Sequence, residues 1–218
     1  YYGEVTLEEA MAKSMNTAAV RLAQEVGIRN VAKTARTLGV LENLNKDLSL
    51  ALGSSGIPML QLTTAYATIA NGGHRVYPYA INRITNGENG RVLYQRKKPN
   101  SYQRIFNGEN IADLTRMMQT VVNEGTGRAA KLPYPAAGKT GTSQDNRDAW
   151  FAGFTENIVC TVWLGNDDNS PMRKITGGGA PAQIWRSVVT KAHPAQPNLN
   201  FPKSESNGKV KQIYLQNW

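Results

Sequence analysis

Apolar residues recur at helical spacing through most of the chain up to Gly125, and give way to short apolar runs after Ala137. Thr6 and Glu9 fit a capping box opening a short helix that runs to about Lys13. Ser14-Met15-Asn16 interrupts it, and a second helix follows from Thr17 to Glu25 or Val26, stopped by Gly27. Asn30 is placed to cap a third helix that ends near Gly39. Pro58 opens a fourth, with Leu62, Tyr66 and Ile69 on one face and Asn71-Gly72-Gly73 at its end. Residues 80–85 and 91–95 predict a hairpin across an Asn/Gly-rich turn. Asn110 to Glu124 predicts a long amphipathic helix that buries Leu114, Met117, Met118, Val121 and Val122.

Residues 138–143, 150–155 and 158–165 then predict three consecutive strands, the last two joined at Glu156-Asn157. Gly177-Gly178-Gly179 predicts a mobile loop, and Pro181 starts a closing helix to about Lys191. Helices, then a small antiparallel sheet, then a helix packed back on it is an α+β arrangement. Residues 196–218 carry Pro, Asn, Ser and Lys with little to bury, and predict a polar tail.

Composition narrows the function classes only modestly. The chain has 218 residues, 40% of them hydrophobic and 19% charged, which is ordinary for a globular domain. The formal charge of +9 fits a soluble basic surface, anionic lipid or an acidic polymer. No aromatic-basic interleaving of a nucleic-acid binder is present, so no nucleic-acid partner is expected. Cys160 is the only cysteine and lies in an apolar run, which predicts a buried inert thiol. His74 and His193 lack ligand-spaced partners, so neither a metal nor a cofactor is expected. No apolar stretch is long enough to span a bilayer, and the start at Tyr1 reads as that of a fragment.

The candidate chemistry lies in two short segments. Lys139-Thr140-Gly141-Thr142 could present a cation and two hydroxyls to an extended anionic ligand. Gly141 would let a ligand backbone lie against the strand. Ser14-Met15-Asn16 could point a hydroxyl and an amide into one cleft, although a Ser/Asn helix cap explains the same spacing. Gly125-Thr126-Gly127 lacks the strand and lysine of a phosphate cradle and predicts a helix-ending turn. Asp145, Asp148, Asp167 and Asp168 predict solvated turn residues.

In order along the chain, these segments resemble the transpeptidase domain of class A penicillin-binding proteins. The motifs are Ser-x-Asn at Ser14 and Asn16 and Lys-Thr-Gly at Lys139, Thr140 and Gly141. The flanks agree: Gly3-Glu4-Val5-Thr6-Leu7, Ala65-Tyr66-Ala67, Ala70-Asn71-Gly72-Gly73, Gly125-Thr126-Gly127, Asp148-Ala149-Trp150-Phe151 and Val162-Trp163-Leu164-Gly165. A β-lactamase is a weaker match, since Met15 occupies the middle of Ser-x-Asn. A catalytically dead β-lactam or cell-wall binding module is the remaining alternative.

The resemblance covers residues 1–195 and implies a β-lactamase/transpeptidase-like fold, with the three C-terminal strands of an expected five. It implies a serine-type D-Ala-D-Ala transpeptidase or carboxypeptidase that cross-links peptidoglycan stem peptides through an acyl-enzyme and binds β-lactam antibiotics. Ser14 would relay a proton to the leaving nitrogen, Asn16 would bind the substrate backbone, and Lys139 would supply positive potential. Thr140 and Thr142 would bind the ligand's carboxylate beside Gly141, and the Thr142 N–H would form part of an oxyanion hole. The nucleophile would belong to a Ser-x-x-Lys motif ahead of Ser14. The one match here, Ser206-Asn207-Gly208-Lys209, falls in the polar tail and reads as accidental. The chain alone is therefore expected to be inactive and, with strand edges open, to self-associate. The parent protein is expected at the bacterial inner membrane, facing the periplasm or the exterior, with a glycosyltransferase domain upstream.

Overall fold

In the computed structural model, which describes residues 3–99 and 101–193, the helical part is built from caps and glycine stops. The expected tail and its Ser206–Lys209 match lie outside the described residues. Helix α1 (Leu7–Ala12) starts at Thr6, whose hydroxyl accepts the Glu9 N–H at 3.1 Å. The reciprocal half of the capping box does not form, because Glu9 pairs forward with Lys13 at 2.6 Å. Helices α2 (Asn16–Val26) and α3 (Ile28–Leu38) are separated by Gly27 alone, at a φ of 86°. Glycine reaches that conformation without steric cost, so the chain turns within one residue. The cap expected at Asn30 is displaced for that reason: the helix has already begun, and the Asn30 amide donates back to the Val26 carbonyl at 2.9 Å.

Helix α4 (Met59–Ala70) follows Pro58. Strands β1 (Arg83–Thr85) and β2 (Val92–Gln95) form the expected hairpin, antiparallel and with a register shift between Ile84 and Thr85. Helix α5 (Gly108–Asn123) begins ahead of Asn110 because Asn107 caps it, accepting the Glu109 N–H at 2.7 Å.

The second half holds an antiparallel sheet of β3 (Ala137–Thr142), β4 (Asp148–Phe154) and β5 (Val159–Gly165), in the order β3-β4-β5. Lys139 lies opposite Ala152 and Thr140 opposite Phe151. Helix α6 (Ala180–Ala192) covers one face, and α4 and α5 cover the other. This is the α+β architecture and the three-stranded set that the sequence implies. Among the described residues, no helix is long and apolar enough to cross a membrane.

Alternation along the strands separates two cores. On the α6 side, Phe151 packs with Trp185, Val189, Val122 and Ala130. On the other, Ala137 and Phe154 pack with Met118, Ile111 and Ile69. Tyr66 joins the second cluster, and burial pushes its phenol up to about 12. Cys160 is half-buried beside the first, and burial pushes its thiol up, as expected of an inert cysteine.

Trp185 anchors α6 to the sheet. It is fully buried, and its ring meets Phe151 edge-on at 5.2 Å. Its indole N–H donates to the Cys160 carbonyl at 3.0 Å, so the large apolar body carries no unpaired polar atom. Trp185→Ala should cost about 3–5 kcal/mol of unfolding free energy by urea titration. A loss below about 1 kcal/mol would show that α6 is not part of the cooperative core.

Candidate active site

The end of α1 sets up the site. The Met15 N–H bonds the Ala10 carbonyl at 2.9 Å, and the Ser14 N–H bonds the Met11 carbonyl at 3.1 Å. That pair of bonds is a Schellman closure, whose hinge residue is left-handed and ordinarily glycine. Here the hinge is Ser14, at a φ of 52°. For a residue with a Cβ this conformation costs on the order of 1 kcal/mol.

The strained serine meets the second motif directly. The Lys139 ammonium donates to the Ser14 hydroxyl at 2.7 Å and to the Thr140 carbonyl at 3.0 Å. The helix-cap explanation of Ser14 and Asn16 is not realised, since Met15 holds the cap position of α2 without a side-chain bond. Asn16 is the first residue of α2 and is exposed, with no side-chain hydrogen bond among the described residues.

Lys139 is half-buried and has no carboxylate partner among the described residues. Burial alone lowers its pKa from 10.5 to about 8, because removal of water penalises the charged form. Neutral acceptors hold the ammonium, and it can release a proton near physiological pH.

The other site residues stand along β3, an edge strand bonded only to β4 among the described strands. The Thr142 hydroxyl accepts the Gly177 N–H at 3.0 Å, which leaves its own proton to donate elsewhere. The Thr140 hydroxyl lies 2.8 Å from that of Thr126. Gly141 is tightly flanked: a Cβ there would meet the Trp150 side chain at 3.3 Å. Gly177-Gly178-Gly179, expected as a loop, forms a turn packed close to the site. Gly177 is buried, and a Cβ on it would overlap the carbonyls of Trp150 and Gly141. Gly177 thus packs against β3 and β4, and Gly178 against the Thr126 carbonyl.

Thr126 is a residue beside the site that the sequence reading passed over. Its N–H donates to the Ala12 carbonyl at 3.0 Å, closing an open end of α1. A Cβ on Gly125 would overlap that same carbonyl, and one on Gly127 would lie 3.1 Å from the Phe151 ring. Neither glycine has a positive φ, so backbone approach explains them better than turn geometry does. No local signal in the sequence marks it, because the groups that the two glycines approach are remote along the chain.

A second brace holds α1 on α5. Glu8 accepts from Arg116 and from the Thr120 hydroxyl, both at 2.6 Å. Burial pushes its carboxyl up, but the two hydrogen bonds and the Arg116 charge outweigh this and leave it below the usual range. The pair is about a third exposed, so it contributes about 1 kcal/mol at most. Asp148 is also structural and not merely a solvated turn residue, since it accepts the Trp163 indole N–H at 2.9 Å and the Ser143 hydroxyl at 3.0 Å.

Residues 1–190, a span that holds both clusters, match the family model for the penicillin binding protein transpeptidase domain. The chain belongs to that family. It is 41% identical over 198 residues to penicillin-binding protein 1A of Aquifex aeolicus, covering 88% of this chain and 27% of the relative. It is 35% identical to penicillin-binding protein 1B of Vibrio cholerae, covering 93% and 26%. The chain thus spans just over a quarter of the length of these class A penicillin-binding proteins. Among solved structures, the penicillin-binding protein PonA1 of Mycobacterium tuberculosis superposes with a TM-score of 0.83 at 25% identity, over 90% of this chain and 57% of that one. PonA1 has also been solved in complex with penicillin V. Penicillin-binding protein 1A of Haemophilus influenzae gives a TM-score of 0.79 at 26% identity, over 90% and 36%.

The depressed lysine pKa of this transpeptidase-family domain has a thermodynamic signature. Between about pH 8 and 10.5 the unfolded chain binds a proton at this position that the folded chain has released, so stability rises with pH there. Lys139 should contribute about 2 kcal/mol to the change from pH 8 to 10, which the raised Cys160 thiol and Tyr66 phenol partly offset. Urea titrations at the two pH values should show a change about 2 kcal/mol more favourable in the wild type than in Lys139→Met. An equal change in both proteins would place the titration elsewhere.

Proposed function

We propose that this chain is the Ser-x-Asn and Lys-Thr-Gly portion, residues 1–195, of a domain that cross-links peptidoglycan stem peptides ending in D-Ala-D-Ala and is trapped by β-lactams. The observation that carries this reading is the 2.7 Å contact between the Lys139 ammonium and the Ser14 hydroxyl, beside an edge strand bearing two threonines. Family membership and the penicillin V complex of a relative support the same reading.

In acylation, a serine oxygen bonds the carbonyl carbon of the penultimate D-alanine, and the bond to the terminal residue breaks. The lysine of the nucleophile's Ser-x-x-Lys motif takes the attacking hydroxyl's proton. The departing nitrogen takes the Ser14 hydroxyl proton, Lys139 replaces that from its ammonium, and the proton taken from the nucleophile restores Lys139. A lysine whose pKa lies near 8 is suited to that exchange at neutral pH. Thr140 and Thr142 hold the substrate's terminal carboxylate, Asn16 its backbone, and the Thr142 N–H its oxyanion. Gly141 lets the substrate chain approach β3. An amine from a neighbouring stem then displaces the serine and completes the cross-link.

The nucleophile is assigned to a Ser-x-x-Lys segment outside the 218 residues, since the sequence offers none ahead of Ser14. The intact protein is assigned to the bacterial inner membrane, with this domain on the periplasmic or outer side and a glycosyltransferase domain in the same polypeptide. The chain alone is assigned no acylation activity. The outer edge of β5, which has only β4 as a partner among the described strands, supports its self-association.

Fluorescent penicillin tests the reading. The intact protein should acylate, and the 218-residue chain should take up no covalent label. In the intact protein, Ser14→Gly, which relieves the left-handed strain, should keep the fold yet slow acylation about 100-fold or more. Lys139→Met should slow it similarly. Undiminished acylation in either variant would remove the proton relay, and labelling of the chain alone would place a reactive serine within it.

A further inference from the structure

Thr126 belongs to neither motif, yet it touches the surroundings of both. Its backbone N–H holds the Ala12 carbonyl at 3.0 Å, at the end of the helix that presents Ser14. Its hydroxyl lies 2.8 Å from the hydroxyl of Thr140 on β3. Thr126 is exposed, but Gly178 packs on its backbone: a Cβ there would overlap the Thr126 carbonyl and lie 3.8 Å from Thr140 Cγ2. With glycines at 125 and 127 both pressed against backbone or ring, Thr126 has little freedom to move.

We infer that Thr126 is a positioning residue for the ligand's carboxylate, acting through the direction in which Thr140 points its proton. The inference rests on the transpeptidase reading above. A threonine hydroxyl has one proton to give. Were Thr140 to give it to Thr126, it would turn only lone pairs towards an anion. When Thr126 donates into Thr140 Oγ1, the Thr140 proton is free to point at a ligand oxygen. A carboxylate accepts and cannot donate, so its arrival selects the second arrangement. The resulting O–H···O–H···O⁻ chain strengthens both links, since each bond polarises the next.

Thr142 reaches the same state by another route. Its oxygen accepts the Gly177 N–H, which has no alternative role as an acceptor. Two hydroxyls on one strand are each supplied by an incoming donor, and both keep their protons for an anion. Of the two donors, the one from Thr126 is a side chain and can be removed without disturbing the backbone.

The test measures benzylpenicillin acylation of the intact protein by stopped flow, separating the initial dissociation constant from the acylation rate constant. Benzylpenicillin methyl ester, which lacks the carboxylate, is the control. Thr126→Val should weaken the initial dissociation constant for the acid about fivefold, the scale of one neutral hydrogen bond. The acylation rate constant and ester binding should not change. Thr126→Ser should bring acid binding back to within about twofold of wild type. A Thr126→Val protein that binds the acid like wild type would overturn the inference alone. An equal loss for acid and ester, or a loss confined to the acylation rate, would do the same, because either marks a packing role. A wild-type protein that takes up no penicillin would overturn the transpeptidase reading and this inference with it.

Discussion

The site depends on one ammonium group placed where it is partly deprived of water and given no opposite charge. Lys139 is held by the Ser14 hydroxyl and the Thr140 carbonyl. Dipoles compensate a buried cation less fully than a carboxylate would, and the pKa of about 8 measures the shortfall. A carboxylate partner would raise that value again and fix the proton on nitrogen. The absence of such a partner among the described residues keeps the lysine able to exchange its proton with a hydroxyl.

Two groups so distant in sequence meet only if the elements bearing them are braced. Helix α5 is the common support: Glu8 of α1 reaches its Arg116 and Thr120, and Met118 packs on Ala137 at the start of β3. Just beyond α5, Thr126 takes the last carbonyl of α1 with its backbone and the Thr140 hydroxyl with its side chain. Glycines at 125, 127, 138 and 177 stand where a Cβ would meet backbone or a buried ring. Close backbone approach, more than any single strong bond, sets the width of the site. Of the residues in the two motifs, Ser14 is the one with strained backbone, where a hydroxyl occupies a hinge that favours glycine.

Much of this was legible in the sequence, and the division follows the range of the interactions. Helices α4 and α6, the hairpin and the three-stranded sheet carry local signals: a proline start, an Asn/Gly turn and apolar runs between turn residues. Lys139 and Ser14 could be paired only through family resemblance, since no local rule joins them. The cap expected at Asn30 failed because Gly27 absorbs the whole turn, and the backbone angle that does so is not encoded by spacing. Gly177–Gly179 and Gly125–Gly127 were read through conformational freedom, the usual local meaning of glycine. In the fold, Gly125, Gly127 and Gly177 owe their identity to a neighbour that is remote in sequence. Thr126 was hidden for the same reason.

The most direct measurement of the Lys139–Ser14 contact is a double-mutant cycle of Ser14→Ala and Lys139→Met on the unfolding free energy of the domain at pH 7. If the ammonium and the hydroxyl bond to each other, the two changes should be non-additive by about 1 kcal/mol. Strictly additive effects would mean that the two side chains do not interact, and the account of the site built on their contact would be wrong.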